Sequence, residues 1–201
     1  MHKHDITQVR LLCFDVGNVL VKLGPPTRLL APVVKQSELE RLISCYGVGG
    51  IESSEFFLEL KRLLEWRRSL SELRAYFIHQ RILGLQPGVQ RMFEDLNCVG
   101  IPLALLSNTN PAHWEYLVRF PILNECQFKL LSFQQGCAKP SERIFRNLEQ
   151  QTRCSGSQIV FFDDIELNVS VAQTLGWRAV CVDPQNSVQG IRQFLRKSEI
   201  V

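Results

Sequence analysis

Three places in the chain set a chemically able side chain at the end of an apolar run, and a fourth sets one before a proline. Asp15 follows Val9, Leu11, Leu12, Cys13 and Phe14; Ser107 follows residues 101–106; Asp163 and Asp164 follow residues 159–162. Lys139 stands before Pro140, a residue favoured in the first turn of a helix. A carboxylate, a hydroxyl, an ammonium and a carboxylate pair gathered at one edge suit phosphoryl transfer. A carboxylate can attack phosphorus and form an aspartyl-phosphate, which splits the reaction into two easier steps. A dianionic phosphate repels that carboxylate, so the site must also supply positive charge. Asp15, Asp163 and Asp164 can hold Mg²⁺, a hard cation that favours oxygen ligands. Ser107, Asn108 with the neighbouring backbone N–H groups, and Lys139 can bind the phosphoryl oxygens. Taken singly, each residue has an ordinary structural reading as a turn, a helix cap or a solvated charge. It is the set, in this order at strand ends, that points to a catalytic site.

For that edge to exist, the apolar runs must be parallel strands. The first is nearly continuous, as in a strand covered on both faces. Further strand-like runs occupy residues 101–106, 128–133, 159–162 and 178–182. Apolar residues at helical spacing lie between and after them: Val89, Met92, Phe93, Leu96; Ile144, Phe145, Leu148; Ile165, Val169, Ala172; Val188, Ile191, Phe194, Leu195. Strand and helix alternate from about residue 86, which predicts an α/β fold with a Rossmann-like parallel sheet and right-handed crossovers. In such sheets ligands bind at the carboxyl ends of the strands.

Residues 23–85 break the alternation and carry no convincing strand. Leu39, Leu42, Ile43 and Tyr46, then Phe56, Leu60, Leu63 and Leu64, then Leu70, Leu73 and Phe77 repeat at helical spacing. Ser37 with Glu40 and Ser69 with Glu72 fit capping boxes. Gly24-Pro25-Pro26 and Gln86-Pro87-Gly88 punctuate the ends. The expected organisation is a core of residues 1–22 and 86–201 with an inserted α-helical cap over 23–85. Tyr46, Glu52 and Trp66 are candidates to line a pocket beneath it, although Trp66 also suits the helical core and Glu52 a first helical turn.

Composition narrows the partners. The chain has 201 residues, 45% of them hydrophobic, and 23 basic against 20 acidic residues give a net charge of only +3. That mixture argues against nucleic acid and against an anionic membrane surface; the basic run around Trp66 reads as the solvated side of an amphipathic helix. Seven cysteines without a CxxC suggest neither a zinc knuckle nor a disulfide framework. MHKHDITQVR has no apolar signal core, and no run reaches membrane-spanning length, so the expected location is the cytoplasm. Sequence leaves monomer and homodimer undecided.

The residues FDVGNVL, LLSNTNPAHW, AKPSERIF and FFDDIELNV resemble the motifs of haloacid dehalogenase (HAD) superfamily hydrolases with a helical cap after the first strand. The resemblance covers essentially the whole chain. Asp15 matches the first motif, Ser107 the second, Lys139 the third and Asp163-Asp164 the fourth, with Asn168, Ala172 and Gly176 falling as expected downstream. It implies that Asp15 is the nucleophile and that the Gly17 carbonyl joins Asp15 and Asp164 around Mg²⁺, with Asp163 helping directly or through water. The wording is nearest to a bacterial subgroup that includes an α-D-glucose-1-phosphate phosphatase.

One position departs from most phosphatases of that superfamily, which carry a second Asp, acting as acid and base, two residues after the nucleophile. Here it is Gly17. General acid–base help is typically ~10²- to 10⁴-fold, about 3 to 5 kcal/mol of barrier. An activated leaving group, such as an anomeric sugar oxygen or an acyl phosphate, needs less of it; His113 is a candidate substitute. The expectation is therefore a Mg²⁺-dependent phosphatase for a small phosphorylated metabolite, a sugar 1-phosphate being favoured. The alternatives are a phosphate-binding or regulatory protein without turnover and, disfavoured by the Asp163-Asp164 pair, a dehalogenase.

Overall fold

The structure is a computed structural model that describes residues 9–26 and 35–200. The reading of the amino-terminal stretch, up to residue 8, and the part of the insert over 27–34 lie outside the described residues. In chain order the elements are β1 (Leu11–Phe14), β2 (Val21–Leu23), α1 (Gln36–Gly47), α2 (Ser53–Leu63), α3 (Leu70–Arg81), β3 (Ile82–Leu85), α4 (Val89–Val99), β4 (Leu103–Ser107), α5 (Pro111–Leu117), α6 (Pro121–Asn124), β5 (Phe128–Leu131), α7 (Ser132–Gln135), α8 (Glu142–Thr152), β6 (Ile159–Asp163), α9 (Glu166–Thr174), β7 (Arg178–Cys181) and α10 (Ser187–Lys197).

Five parallel strands form one sheet in the order β5-β4-β1-β6-β7. The strand with the most uniformly apolar sequence, β1, is central because burial on both faces is possible only there and at its neighbours. Its pleat sends Leu12 and Phe14 to one side, where they meet Phe93 of α4 and Ile191 and Leu195 of α10. Leu11 and Cys13 go to the other, against Ile144, Phe145 and Leu148 of α8 and against Trp177. Phe14 stacks on Phe162 of β6 with ring centroids 5.4 Å apart. Each such buried side chain contributes about 1.5–3 kcal/mol, so the middle of the sheet is the rigid part from which the strand-end residues project. All seven cysteines are free. No helix of the described residues is long and apolar enough to cross a membrane.

The sheet strands lie where the apolar runs predict them, with several ends displaced by one or two residues. The run over 128–133 stops at Leu131, and Ser132 opens the short helix α7. The insert differs more. It was expected to hold no strand, yet Ile82–Leu85 pairs antiparallel with Val21–Leu23, Val21 opposite Leu85. The two strands are three and four residues long, too short for a period-2 pattern to show. The capping box at α3 forms: Ser69 Oγ accepts from Glu72 N at 3.2 Å and Glu72 Oε2 accepts from Ser69 N at 3.0 Å. The one expected at Ser37 does not cap α1, which starts at Gln36 with Lys35 at its N-cap, leaving Ser37 inside the first turn. Pro140 likewise precedes its helix; α8 begins at Glu142 after Ser141.

Inside the insert, Tyr46, Phe56, Phe57 and Phe77 form an aromatic cluster, with Tyr46 stacked on Phe56 at 3.9 Å. Hydrogen bonds tie these helices to α5 and α7, which follow β4 and β5, among them one from Arg74 to Glu115. Tyr46 Oη accepts from Ala112 N at 3.1 Å, Ser132 Oγ donates to Gly47 O at 2.6 Å, and His113 Nε2 lies 3.3 Å from Phe77 O. The His113 ring also stacks on Phe77 at 4.5 Å, while its Nδ1 lies 3.0 Å from Asn110 Nδ2. With Nδ1 accepting from the Asn110 amide, the proton belongs on Nε2, aimed at the Phe77 carbonyl. Burial, joined by the nearby Arg81 charge, pushes the His113 pKa down to about 4.

This histidine gives a pH test of the interface. Its folded pKa is below the unfolded value of about 6.5, so the unfolded chain binds the extra proton and stability falls as pH drops from 6.5 towards 4. Urea unfolding should show that wild type loses ~2 kcal/mol more than His113→Gln between pH 6.5 and 4.5. Equal losses in the two proteins would mean that His113 is not held neutral here.

Candidate active site

Four of the loops that leave the carboxyl ends of β1, β4, β5 and β6 supply the site. The centre is Lys139, whose side chain is only 1% exposed. Its Nζ donates to Asp15 Oδ1 at 2.7 Å and to Asp163 Oδ2 at 2.6 Å. Burial alone would lower the Lys139 pKa, but the two carboxylates outweigh it and hold it above the ordinary lysine value. The ammonium is therefore charged.

Each partner is fixed from behind. Asp15 N donates to Phe162 O at 2.9 Å, which extends the β1–β6 ladder to the first residue of the loop. Asn108 grips the Lys139 backbone: its Oδ1 accepts from Lys139 N and its Nδ2 donates to Lys139 O, both at 2.8 Å. Asp163 is completely buried; it accepts from Ile165 N at 2.8 Å and from Asn168 Nδ2 at 3.0 Å and 3.1 Å. Asp164 is held by Asn18, whose Nδ2 donates to Asp164 Oδ2 at 2.9 Å. Asn18 has a φ of 55°, a left-handed conformation that asparagine tolerates better than most residues. Gln86, behind it, donates from Nε2 to Asn18 O at 3.0 Å and to Pro184 O at 2.9 Å.

The structure thus brings Asp15, Ser107, Asn108, Lys139, Asp163 and Asp164 to one sheet edge. Ser107, the last residue of β4, is 3% exposed. The Asn108 side chain is spent on Lys139, so it acts as a positioning group; its backbone N–H is the part left to meet an anion. His113 is farther out, engaged at both ring nitrogens between insert and core. Gly17 lies against Asp15: a Cβ built there would fall 3.8 Å from Asp15 Oδ2 and 2.7 Å from Leu23 Cδ1. Leucine thus occupies the space a side chain at 17 would enter. Of the residues expected to line the pocket from the insert, Tyr46 is in the aromatic cluster, Glu52 is the N-cap of α2, and Trp66 packs on Tyr76. A cavity of about 590 Å³ is instead lined by Gly47, Val48, Phe77, Arg81 and His113 across from Asn108 and Lys139.

The charge balance fits a divalent metal ion. One oxygen from each of Asp15, Asp163 and Asp164 lies within 4.8 Å of the others. Burial, with the neighbouring carboxylates adding to it and Lys139 opposing, pushes the Asp15 pKa up to about 7. Asp164 is raised as well, by burial and then by Asp163, against the Asn18 hydrogen bond. One ammonium does not neutralise three carboxylates, and a hard cation on their outer oxygens would. Asn18 and Gln86 were not singled out as site residues from sequence; their types suit a turn and a loop, and only the fold brings the Asn18 amide to Asp164 and the Gln86 amide to the Asn18 carbonyl.

Comparison with known proteins agrees with this fold. A HAD family enzyme from Bacteroides thetaiotaomicron superposes with a TM-score of 0.83 at 20% identity, over 92% of this chain and 98% of that one. Its complex with magnesium and inorganic phosphate gives 0.75 at 22% identity, over 88% and 95%. A Porphyromonas gingivalis protein described as a predicted HAD-like family hydrolase gives 0.78 at 23%, over 94% and 98%. These are likenesses of fold. In sequence, mouse acyl-CoA dehydrogenase family member 10 is 27% identical over 205 residues, which cover 92% of this chain but only 19% of that protein. The sequence model of the haloacid dehalogenase-like hydrolases matches residues 9–176, and the chain belongs to that family.

Proposed function

We propose that this hydrolase is a Mg²⁺-dependent phosphatase acting on a small phosphate ester through an aspartyl-phosphate. The observation that carries the reading is the buried Lys139 ammonium held between Asp15 and Asp163, with Asp164 beside them. Lys139 engages Asp15 Oδ1 and fixes the carboxylate plane, with Oδ2 on the Gly17 side. In the first step Asp15 attacks phosphorus, the ester P–O bond breaks, and the leaving oxygen takes its proton from solvent. In the second, water attacks the phosphorus of the acyl phosphate, giving back Asp15 and releasing inorganic phosphate. Ser107, the backbone N–H of Asn108 and Lys139 would bind the phosphoryl oxygens as charge shifts, while the Thr109 N–H is taken by Ser132 Oγ at 3.0 Å. When bound, Mg²⁺ would be held by Asp15, Asp164 and the Gly17 carbonyl, with Asp163 behind them, and would supply positive charge against which phosphate and carboxylate can approach. The magnesium and phosphate complex of the Bacteroides relative supports this reading.

The insert over 23–85 serves as a cap over the core of 1–22 and 86–201. A cavity of about 590 Å³ between them suits a small molecule, in keeping with a metabolite rather than nucleic acid or membrane as partner. Gly17 carries no acid, and His113 keeps its proton on the Phe77 carbonyl. Such a site favours a leaving group that needs little protonation, a sugar 1-phosphate or an acyl phosphate.

Phosphate release from sugar phosphates and acyl phosphates should depend on Mg²⁺, stop with chelator, and vanish in Asp15→Asn, whose circular dichroism and melting transition stay native-like. No release from any ester by the wild-type protein would instead favour a phosphate-binding or regulatory role. A second measurement addresses Gly17. Across a series of aryl and alkyl phosphates, kcat/KM should fall steeply as leaving-group pKa rises, by ~10²-fold or more from aryl to alkyl. A flat series would require a general acid elsewhere in the site.

A further inference from the structure

The cavity contains a cation that no carboxylate of the described residues pairs with. Among the described residues that line it, the cationic side chains are Lys139 and Arg81. Lys139 is committed to Asp15 and Asp163. Arg81, the last residue of α3, donates one N–H to the Gly24 carbonyl. A guanidinium has five such donors, so that bond leaves four, and Arg81 lines the cavity. Residues 27–34 read Thr-Arg-Leu-Leu-Ala-Pro-Val-Val and contain no acid. Glu40 also lines the cavity, yet the carboxylate whose field Arg81 feels is Asp164; burial is the larger influence and lowers the Arg81 pKa. His113, also in the lining, is neutral and does not compete for an anion. A charge taken partly out of water without a carboxylate at salt-bridge distance is held at a loss that an incoming anion relieves.

We propose that Arg81 reads a second anionic group on the substrate, a carboxylate or a phosphate distal to the transferred phosphoryl. The substrate class is then a small phosphate ester that carries a further anion. This rests on the phosphate-ester reading above and narrows it: among sugar 1-phosphates, it selects those with an acid or a second phosphate. The planar fork of arginine matches either group bidentately.

The test pairs substrates that differ only in that group. Glucose 1-phosphate would be compared with glucuronate 1-phosphate and glucose 1,6-bisphosphate, and glycerol 3-phosphate with 3-phosphoglycerate. Phosphate release would be followed in wild type, Arg81→Gln and Arg81→Lys, and equilibrium binding in Asp15→Asn with and without Arg81→Gln. The expected result is a preference in kcat/KM for an anion-bearing member of roughly tenfold or more, which shrinks in Arg81→Gln and is partly kept in Arg81→Lys. The carboxylate and phosphate arms identify which anion is read. Equal fractional losses for neutral and anionic members would assign Arg81 to holding Gly24 and overturn the proposal. So would the lack of any anion preference in both turnover and binding. If no member is hydrolysed while the Asp15→Asn protein still prefers the anionic ones through Arg81, the phosphatase reading fails and the anion preference stands.

Discussion

A single ammonium, Lys139, determines how the rest of this site is arranged. It lies between two carboxylates that come from different strands, and all three groups are almost wholly out of water. Such a cluster survives only when the geometry is good and the remaining hydrogen-bonding positions are filled. The fold meets both conditions: Asn108 fixes the lysine backbone, Asn168 and Ile165 fill Asp163, and the β1–β6 ladder holds Asp15. The sheet order follows from the same need, since Asp15 must sit on the central strand with Asp163 on its neighbour and Ser107 on the other.

That arrangement also accounts for the site's unbalanced charge. Lysine neutralises part of the carboxylate field, and burial prevents water from screening the remainder. Asp15 and Asp164 both have raised pKa values as a result. A structure selected for stability alone would be better served by apolar residues at these positions. Retaining three acids around one base is understandable where an incoming cation and anion complete the set.

Apart from Lys139, which lies beyond α7, the chemistry-bearing residues were legible in the sequence because each stands where an apolar run ends, and a strand end in a parallel sheet is a fixed place in space. Asp15, Ser107 and Asp163 are each within one residue of a strand's carboxyl end. Residues that act across the insert were not legible. The strand at Ile82–Leu85 is too short and includes Gly84, so no periodic pattern marks it. Tyr46 was a candidate for a pocket wall, as was Trp66, for which the helical core was the favoured reading; in the structure they pack on Phe56 and Tyr76. Arg81 at the end of α3 reads as an ordinary basic residue complementing a helix carboxyl terminus. Only the cavity reveals that it faces the same space as Lys139. His113 was expected near the chemistry and is near it, but its ring is used as a joint between insert and core.

Asn18 has a consequence for how such proteins can be recombined. Its side chain holds Asp164, and its carbonyl is held by Gln86, the residue that follows β3 and whose backbone N–H bonds to Leu20 O. The stem that carries the insert is therefore wired to the acid loop of the core. An insert transplanted from a relative would bring its own helices and pocket wall, but it would function only with a stem that presents a Gln86-like amide in the same register. The helices are the exchangeable module; the two short strands beneath them belong, in engineering terms, to the core.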